Sequence, residues 1–204
     1  MIGIINYGLG NIKSIQNIIR HVGGTCKILM SPEDFDGVDK LILPGVGAFD
    51  HGMTGLKEGN WIEPLDKLVL EKKVPVLGIC LGMQLLCKSS EEGILPGLGW
   101  VDASVIRINF PEIPNLKIPH MGWNTIEITK PNPLFEKEVL SEQRFYFVHS
   151  YHVHCNDNQD VLATAPYGRK VTAALSRENI FGVQFHPEKS HKFGKEFFKR
   201  YIAL

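Results

Sequence analysis

Along the first half of the chain, short apolar runs of strand length alternate with segments whose apolar residues recur at helical spacing. Ile2–Asn6 reads as the first strand, and "GLGN" then turns the chain into a helix that Asn11 is placed to cap. Ile12, Ile15, Ile19 and Val22 line one face of that helix. Further strands are predicted at Thr25–Leu29, Lys40–Leu43 and Val74–Ile79, with a helix at about Trp61–Glu71 between the last two. The alternation is that of β-α-β units with right-handed crossovers, so the expected class is α/β, with a mostly parallel central sheet flanked by helices. After Gly97 the pattern shifts to "VDASVIRI", "RFYFVHSYHV" and "NIFGVQF", joined by turns rich in Pro, Asn and Gly. That predicts an added mixed or antiparallel part. "HKFGKEFFKRYIAL" closes the chain as an amphipathic helix.

A chain of 204 residues with no internal repeat or linker is expected to form a single domain over 1–204. Its 22 basic and 22 acidic residues cancel, which argues against electrostatic binding to nucleic acid or to an anionic membrane. The start, "MIGIINYG", lacks a basic leader region, and no apolar run approaches the roughly 18 residues that span a bilayer. A cytoplasmic protein is expected. Cys26, Cys80, Cys87 and Cys155 show no CxxC spacing and are expected to be reduced.

Cys80 stands out among them. In "VPVLGICLGMQLL" it lies where a buried strand gives way to a helical pattern, between Gly78 and Gly82. A Gly-x-nucleophile-x-Gly turn lifts its central side chain above the end of the sheet, and the glycines remove β-carbons that would crowd the bend. The helix that follows directs N–H groups and its positive end toward the sulfur, which favours a thiolate. A buried packing cysteine fits the same stretch, so a partner base decides between the two.

"FGVQFHPEKS" offers that base. Pro187 holds His186 in extended geometry, and Glu188, two residues on, can accept from one imidazole nitrogen while the other faces outward. Read alone, His-Pro-Glu also fits a surface turn; combined with the elbow at Cys80 it makes a Cys-His-Glu triad. The glycines of "LILPGVGAF" let backbone N–H groups approach a ligand, as an oxyanion site requires beside the N–H of Leu81, the residue after the nucleophile. A plain turn fits this stretch equally well. "NYGLGN" fails as a dinucleotide fingerprint because Lys13 stands at the third glycine position. "VHSYHVHC" has metal-ligand residue types, but strand alternation puts only His152 and His154 on one face, so no metal is expected.

With "NYGLGN", "LPGVGAFDHGM", "VLGICLGMQLL", "SSEEG", "PHMGWN", "FVHSY" and "FGVQFHPEKS" in order, the chain resembles the class I glutamine amidotransferases end to end, with a flavodoxin-like fold. Within them it is most similar to the glutaminase subunits of imidazole glycerol phosphate synthases. The resemblance implies Cys80 as nucleophile, His186 as base and Glu188 as its orienter. It implies Gln84, Glu92, Ser150 and Tyr151 as the residues holding the amino-acid part of L-glutamine, and Gly45 and Val46 bordering the oxyanion site. It further implies hydrolysis of glutamine without a cofactor, and a (β/α)8-barrel cyclase as heterodimer partner that consumes the ammonia in histidine biosynthesis. Met121 and Trp123 suit that interface by residue type, although core packing is an equal use for them. Two other readings stay open: a related glutaminase feeding an amidotransferase that acts on nucleotide-linked surface sugars, and a non-catalytic redox sensor built on Cys80.

Overall fold

The computed structural model describes residues 1–113, 115–135 and 143–204. Its first half builds β1 (Ile2–Ile5), α1 (Ile12–His21), β2 (Cys26–Leu29), β3 (Lys40–Gly45), α2 (Phe49–Glu58), α3 (Ile62–Asp66), β4 (Val76–Cys80) and α4 (Leu81–Leu85). The second half adds β5 (Ser89–Ser90), β6 (Ala103–Arg107), β7 (His120–Thr125), β8 (Glu127–Ile128), β9 (Arg144–His149) and β10 (Tyr151–Cys155). It ends with β11 (Val161–Tyr167), β12 (Arg169–Arg177), β13 (Ile180–Val183) and α5 (His191–Ala203).

An eight-stranded sheet runs in the order β2-β1-β3-β4-β13-β12-β11-β8. Pairing is parallel from β2 through β13 and antiparallel from there to β8. The strands at its centre are buried on both faces, which is why they read as continuous apolar runs rather than alternating ones. Ile4, Ile42 and Leu77 pack with Ile15 and Ile19 of α1 and with Phe197, Phe198 and Tyr201 of α5. Ile5, Leu41 and Leu43 pack on the other side, with Phe49 and Leu56 of α2, Leu65 of α3 and Leu81 of α4. Two small sheets, β10-β6-β5 and β7-β9, sit beside the main one.

Several local expectations need correction. Asn11 stands at the cap position of α1, but its side chain makes no capping hydrogen bond. The helix expected at about Trp61–Glu71 is present, but it is α-helical over Ile62–Asp66 and π-helical over Lys67–Glu71. "RFYFVHSYHV" is two strands broken at Ser150, because β9 pairs with β7 whereas β10 pairs with β6. The helix after Cys80 is only five residues long, so its dipole is much weaker than the sequence pattern implies. Among the described residues, no helix is long and apolar enough to cross a membrane.

Candidate active site

Cys80 ends β4 with φ 54° and ψ −109°, a conformation in which a non-glycine residue is strained by on the order of 1–3 kcal/mol. Two glycines make the bend possible by close approach. A β-carbon on Gly82 would lie 1.9 Å from the Leu43 carbonyl oxygen, and one on Gly78 would lie 2.7 Å from the backbone of Gly82. The turn is thereby pressed against β3 and its sulfur directed into a pocket of about 370 Å³.

That pocket is lined by Val46, Cys80, Leu81, Gln84, Glu92, Ser150, Tyr151 and His186 among others, so residues from six stretches of sequence converge on one cavity. Glu188 stands behind it, accepting at 2.8 Å from Nδ1 of His186, with both side chains almost wholly buried. Nε2 of His186 is buried without a hydrogen bond of ordinary geometry. Such looseness between a base and a nucleophile is expected of a site with no substrate in it. Burial opposes a charged His186, but the adjacent Cys80 and Glu188 outweigh it and hold the imidazole above its ordinary range. Gly45 pairs with Cys80 across the β3-β4 register and sits beneath the pocket. A β-carbon there would fall 2.7 Å from the backbone nitrogen of Gly82.

Around the cavity, the carboxylate of Glu92 accepts from the backbone N–H of Phe49 at 2.9 Å, which anchors one oxygen. The side-chain nitrogen of Gln84 donates to the Tyr151 carbonyl at 3.2 Å. Met121 and Trp123 lie elsewhere, on β7, 61% and 40% exposed, so neither is a core residue. Pro119, just ahead of that strand, lines the pocket and also a separate groove that Met121 lines.

Three residues of the site escaped the sequence reading: Gln184, His149 and His120. Gln184 is a polar residue inside the apolar run "FGVQF", a signal that could have found it. His120 and His149 face each other across the β7-β9 register, with Nδ1 of His120 2.9 Å from Nε2 of His149. His149 also lines the pocket. Burial pushes the pKa of His120 down to about 4, and burial followed by the neighbouring His120 pushes that of His149 to about 3. Both rings stay neutral in the fold while the unfolded chain takes up protons as pH falls below 6.5. Stability from this pair is therefore complete above pH 6.5 and is lost progressively on the acid side. By pH 5 His149 alone should have lost about 2 kcal/mol of its contribution. The raised pKa of His186 acts on the alkaline side and does not feed this loss. Denaturant midpoints at pH 7 and pH 5 should differ clearly, and His149→Gln should reduce the difference, the rest coming from His120 and from His152, which burial also holds below its ordinary range. An unchanged acid loss in that variant would show that the histidine pair is not its source.

The sequence profile of the family described as glutamine amidotransferase class-I matches residues 3–203. The imidazole glycerol phosphate synthase subunit HisH 2 of Methanococcus maripaludis is 50% identical over 202 residues, covering 99% of this chain and 98% of that protein. The subunit HisH 2 of Pseudomonas aeruginosa is 48% identical over 208 residues, covering both chains completely. Among solved structures, PurLQS from Thermotoga maritima superposes with a TM-score of 0.75 at 18% identity, over 99% of this chain and 97% of that one. The chain belongs to the class I glutamine amidotransferases and, within them, to the family of the imidazole glycerol phosphate synthase HisH subunits.

Proposed function

We propose that residues 1–204 act as one glutamine amidotransferase domain that hydrolyses glutamine through Cys80, His186 and Glu188 and passes the ammonia to a cyclase partner. The observation that carries this reading is the single pocket in which a strained cysteine meets a histidine backed by a buried glutamate. The thiolate of Cys80 attacks the side-chain carbonyl carbon of glutamine, and the C–S bond forms as the carbonyl electrons move to oxygen. Backbone N–H groups of Leu81 and of the Gly45-Val46 segment receive that oxygen. As the intermediate collapses the C–N bond breaks, and His186 gives its Nε2 proton to the leaving nitrogen, releasing ammonia. Water then attacks the thioester, His186 takes one of its protons, and sulfur departs as thiolate to leave glutamate. Glu188 keeps the ring oriented and stabilises the imidazolium while it exists.

Specificity for an amino acid follows from the rim. Gln84 has its nitrogen engaged by the Tyr151 carbonyl, so its oxygen is left for the substrate ammonium, which the free oxygen of Glu92 also attracts. Ser150 and Tyr151 close the side where the substrate carboxylate sits.

Ammonia released into water near neutral pH takes a proton and loses its nucleophilicity, so it must reach an acceptor site directly. The expected partner is a (β/α)8-barrel cyclase, and the exposed Met121 and Trp123 on β7 are its proposed contacts. Trp123 is held ready for such a contact by stacking on His191 at 5.5 Å between ring centres. The test is to mix the chain with the cyclase, glutamine and the acceptor ribotide. Imidazole glycerol phosphate and glutamate should appear in equal amounts, and glutamate without the imidazole product would count against the acceptor. Copurification with an amidotransferase of nucleotide-linked sugars instead of the cyclase would overturn the assignment of the acceptor.

A further inference from the structure

Gln184 follows β13 by one residue. Val183 is level with Ile79 in the parallel register, so Gln184 stands level with Cys80 on the neighbouring strand. Its side chain has no solvent exposure, and a buried amide must find its partners inside the protein. Two are present: the nitrogen of Gln84 lies 3.1 Å from Oε1 of Gln184, and the Cys80 sulfur lies 3.7 Å from Nε2 of Gln184.

Which way the amide points is fixed from outside. A backbone carbonyl can only accept, so the Tyr151 carbonyl requires that Gln84 present its nitrogen there. The same nitrogen reaches Gln184, which must then offer oxygen to Gln84 and N–H to the sulfur. The Tyr151 carbonyl is itself held by Nδ1 of His149 at 2.7 Å, and Nε2 of that ring is held by Nδ1 of His120. Nε2 of His120 in turn faces the amide nitrogen of Asn124 at 3.1 Å. Gln84 thus donates both to the Tyr151 carbonyl and to Gln184, and a reversed Gln184 would set its amide nitrogen against that of Gln84, two donors facing one another.

We propose that Gln184 is the hydrogen-bond donor that holds and stabilises the thiolate of Cys80. A donor to the charged form favours that form. With only five residues of helix after Cys80, and with the Val148 carbonyl 4.0 Å from the sulfur on another side, the amide of Gln184 adds a fixed donor dipole beside the sulfur. It also sets where the sulfur points. This role rests on Cys80 being the nucleophile.

The experiment is the pH dependence of Cys80 alkylation by iodoacetamide in the full chain, read on the Cys80 peptide by mass spectrometry, with no glutamine present. Gln184→Glu keeps an oxygen for Gln84 but turns the group facing sulfur from donor to acceptor. Gln184→Met keeps the length and removes both functions. The ionisable groups facing the sulfur are His186 with Glu188 behind it, Tyr7 after β1, His149 on β9 and Glu92 at the rim, and all are unchanged in these variants. The alkylation midpoint should rise by about one pH unit or more in both, a tenfold lower thiolate fraction at neutral pH, and further in Gln184→Glu than in Gln184→Met. A midpoint unmoved in folded Gln184→Glu overturns the proposal, whatever happens to turnover and whether or not Gln184→Met folds. Failure of the nucleophile assignment would appear separately, as glutamine turnover surviving in Cys80→Ala.

Discussion

Glutamine turnover by Cys80→Ala is expected to fall by about four to six orders of magnitude, the scale of losing a nucleophile from a catalytic unit. The same variant, bound to the proposed partner, should still make product from added ammonium salts, because the proposed acceptor site belongs to that partner. No other thiol can substitute. Cys87 and Cys155 are buried in the opposite core, where burial pushes the pKa of Cys155 up to about 12 and that of Cys87 still higher. Cys26 lies on β2, separated from β4 by the two strands β1 and β3 in the central sheet. Replacing any of these three by Ser or Ala should leave turnover intact, and a glutamine-like affinity label should land on Cys80 alone. His186→Asn should approach the loss seen in Cys80→Ala, since no group remains to protonate the leaving nitrogen. Glu188→Gln should cost less, because it misdirects the ring without removing it. The check is glutamate release measured on each variant in the complete complex; retained release in Cys80→Ala would remove Cys80 from its role.

The elbow was legible because its chemistry is local. Gly78, Cys80 and Gly82 occupy one turn, and His186 and Glu188 one short segment, so spacing alone carries the geometry. What spacing could not carry was long-range pairing. Gln184 reaches Gln84 across 100 positions of sequence and His120 reaches His149 across 29. Neither chain segment signals the other. The break at Ser150 was hidden for a similar reason: both halves of "RFYFVHSYHV" have strand character, and only their separate partners divide them. Helix α2 gave a weak pattern because Gly52 and Gly55 interrupt Phe49, Met53 and Leu56. Those glycines are there for packing, since a β-carbon on Gly55 would lie 2.6 Å from the Tyr7 carbonyl oxygen.

Adding the partner together with an acceptor analogue should raise glutamine hydrolysis by at least about a hundredfold over the chain alone, the effect of completing one oxyanion donor. The reason lies in "PGVG". The Tyr7 hydroxyl donates to the Pro44 carbonyl at 2.6 Å, which pins the Pro44-Gly45 peptide from below. Gly45 then gives the next peptide freedom to rotate, whereas the β-branched Val46 resists positive φ, and the proposed switch is between two orientations of the Gly45-Val46 peptide. Only one directs its N–H at the oxyanion. Val46 is 39% exposed at the pocket mouth, where a docked partner can bias the choice. Withholding this donor costs roughly 3 to 4 kcal/mol in the transition state, enough to keep glutamine from being spent when ammonia has no destination. A ligand can shift the two orientations only by as much as it prefers one of them, so partner alone should activate partly and partner with acceptor fully. Glutamate release is to be measured for the chain alone, with partner, and with partner plus acceptor analogue. Full activity in the isolated chain would sink the switch and leave Gly45-Val46 as a fixed part of the oxyanion site.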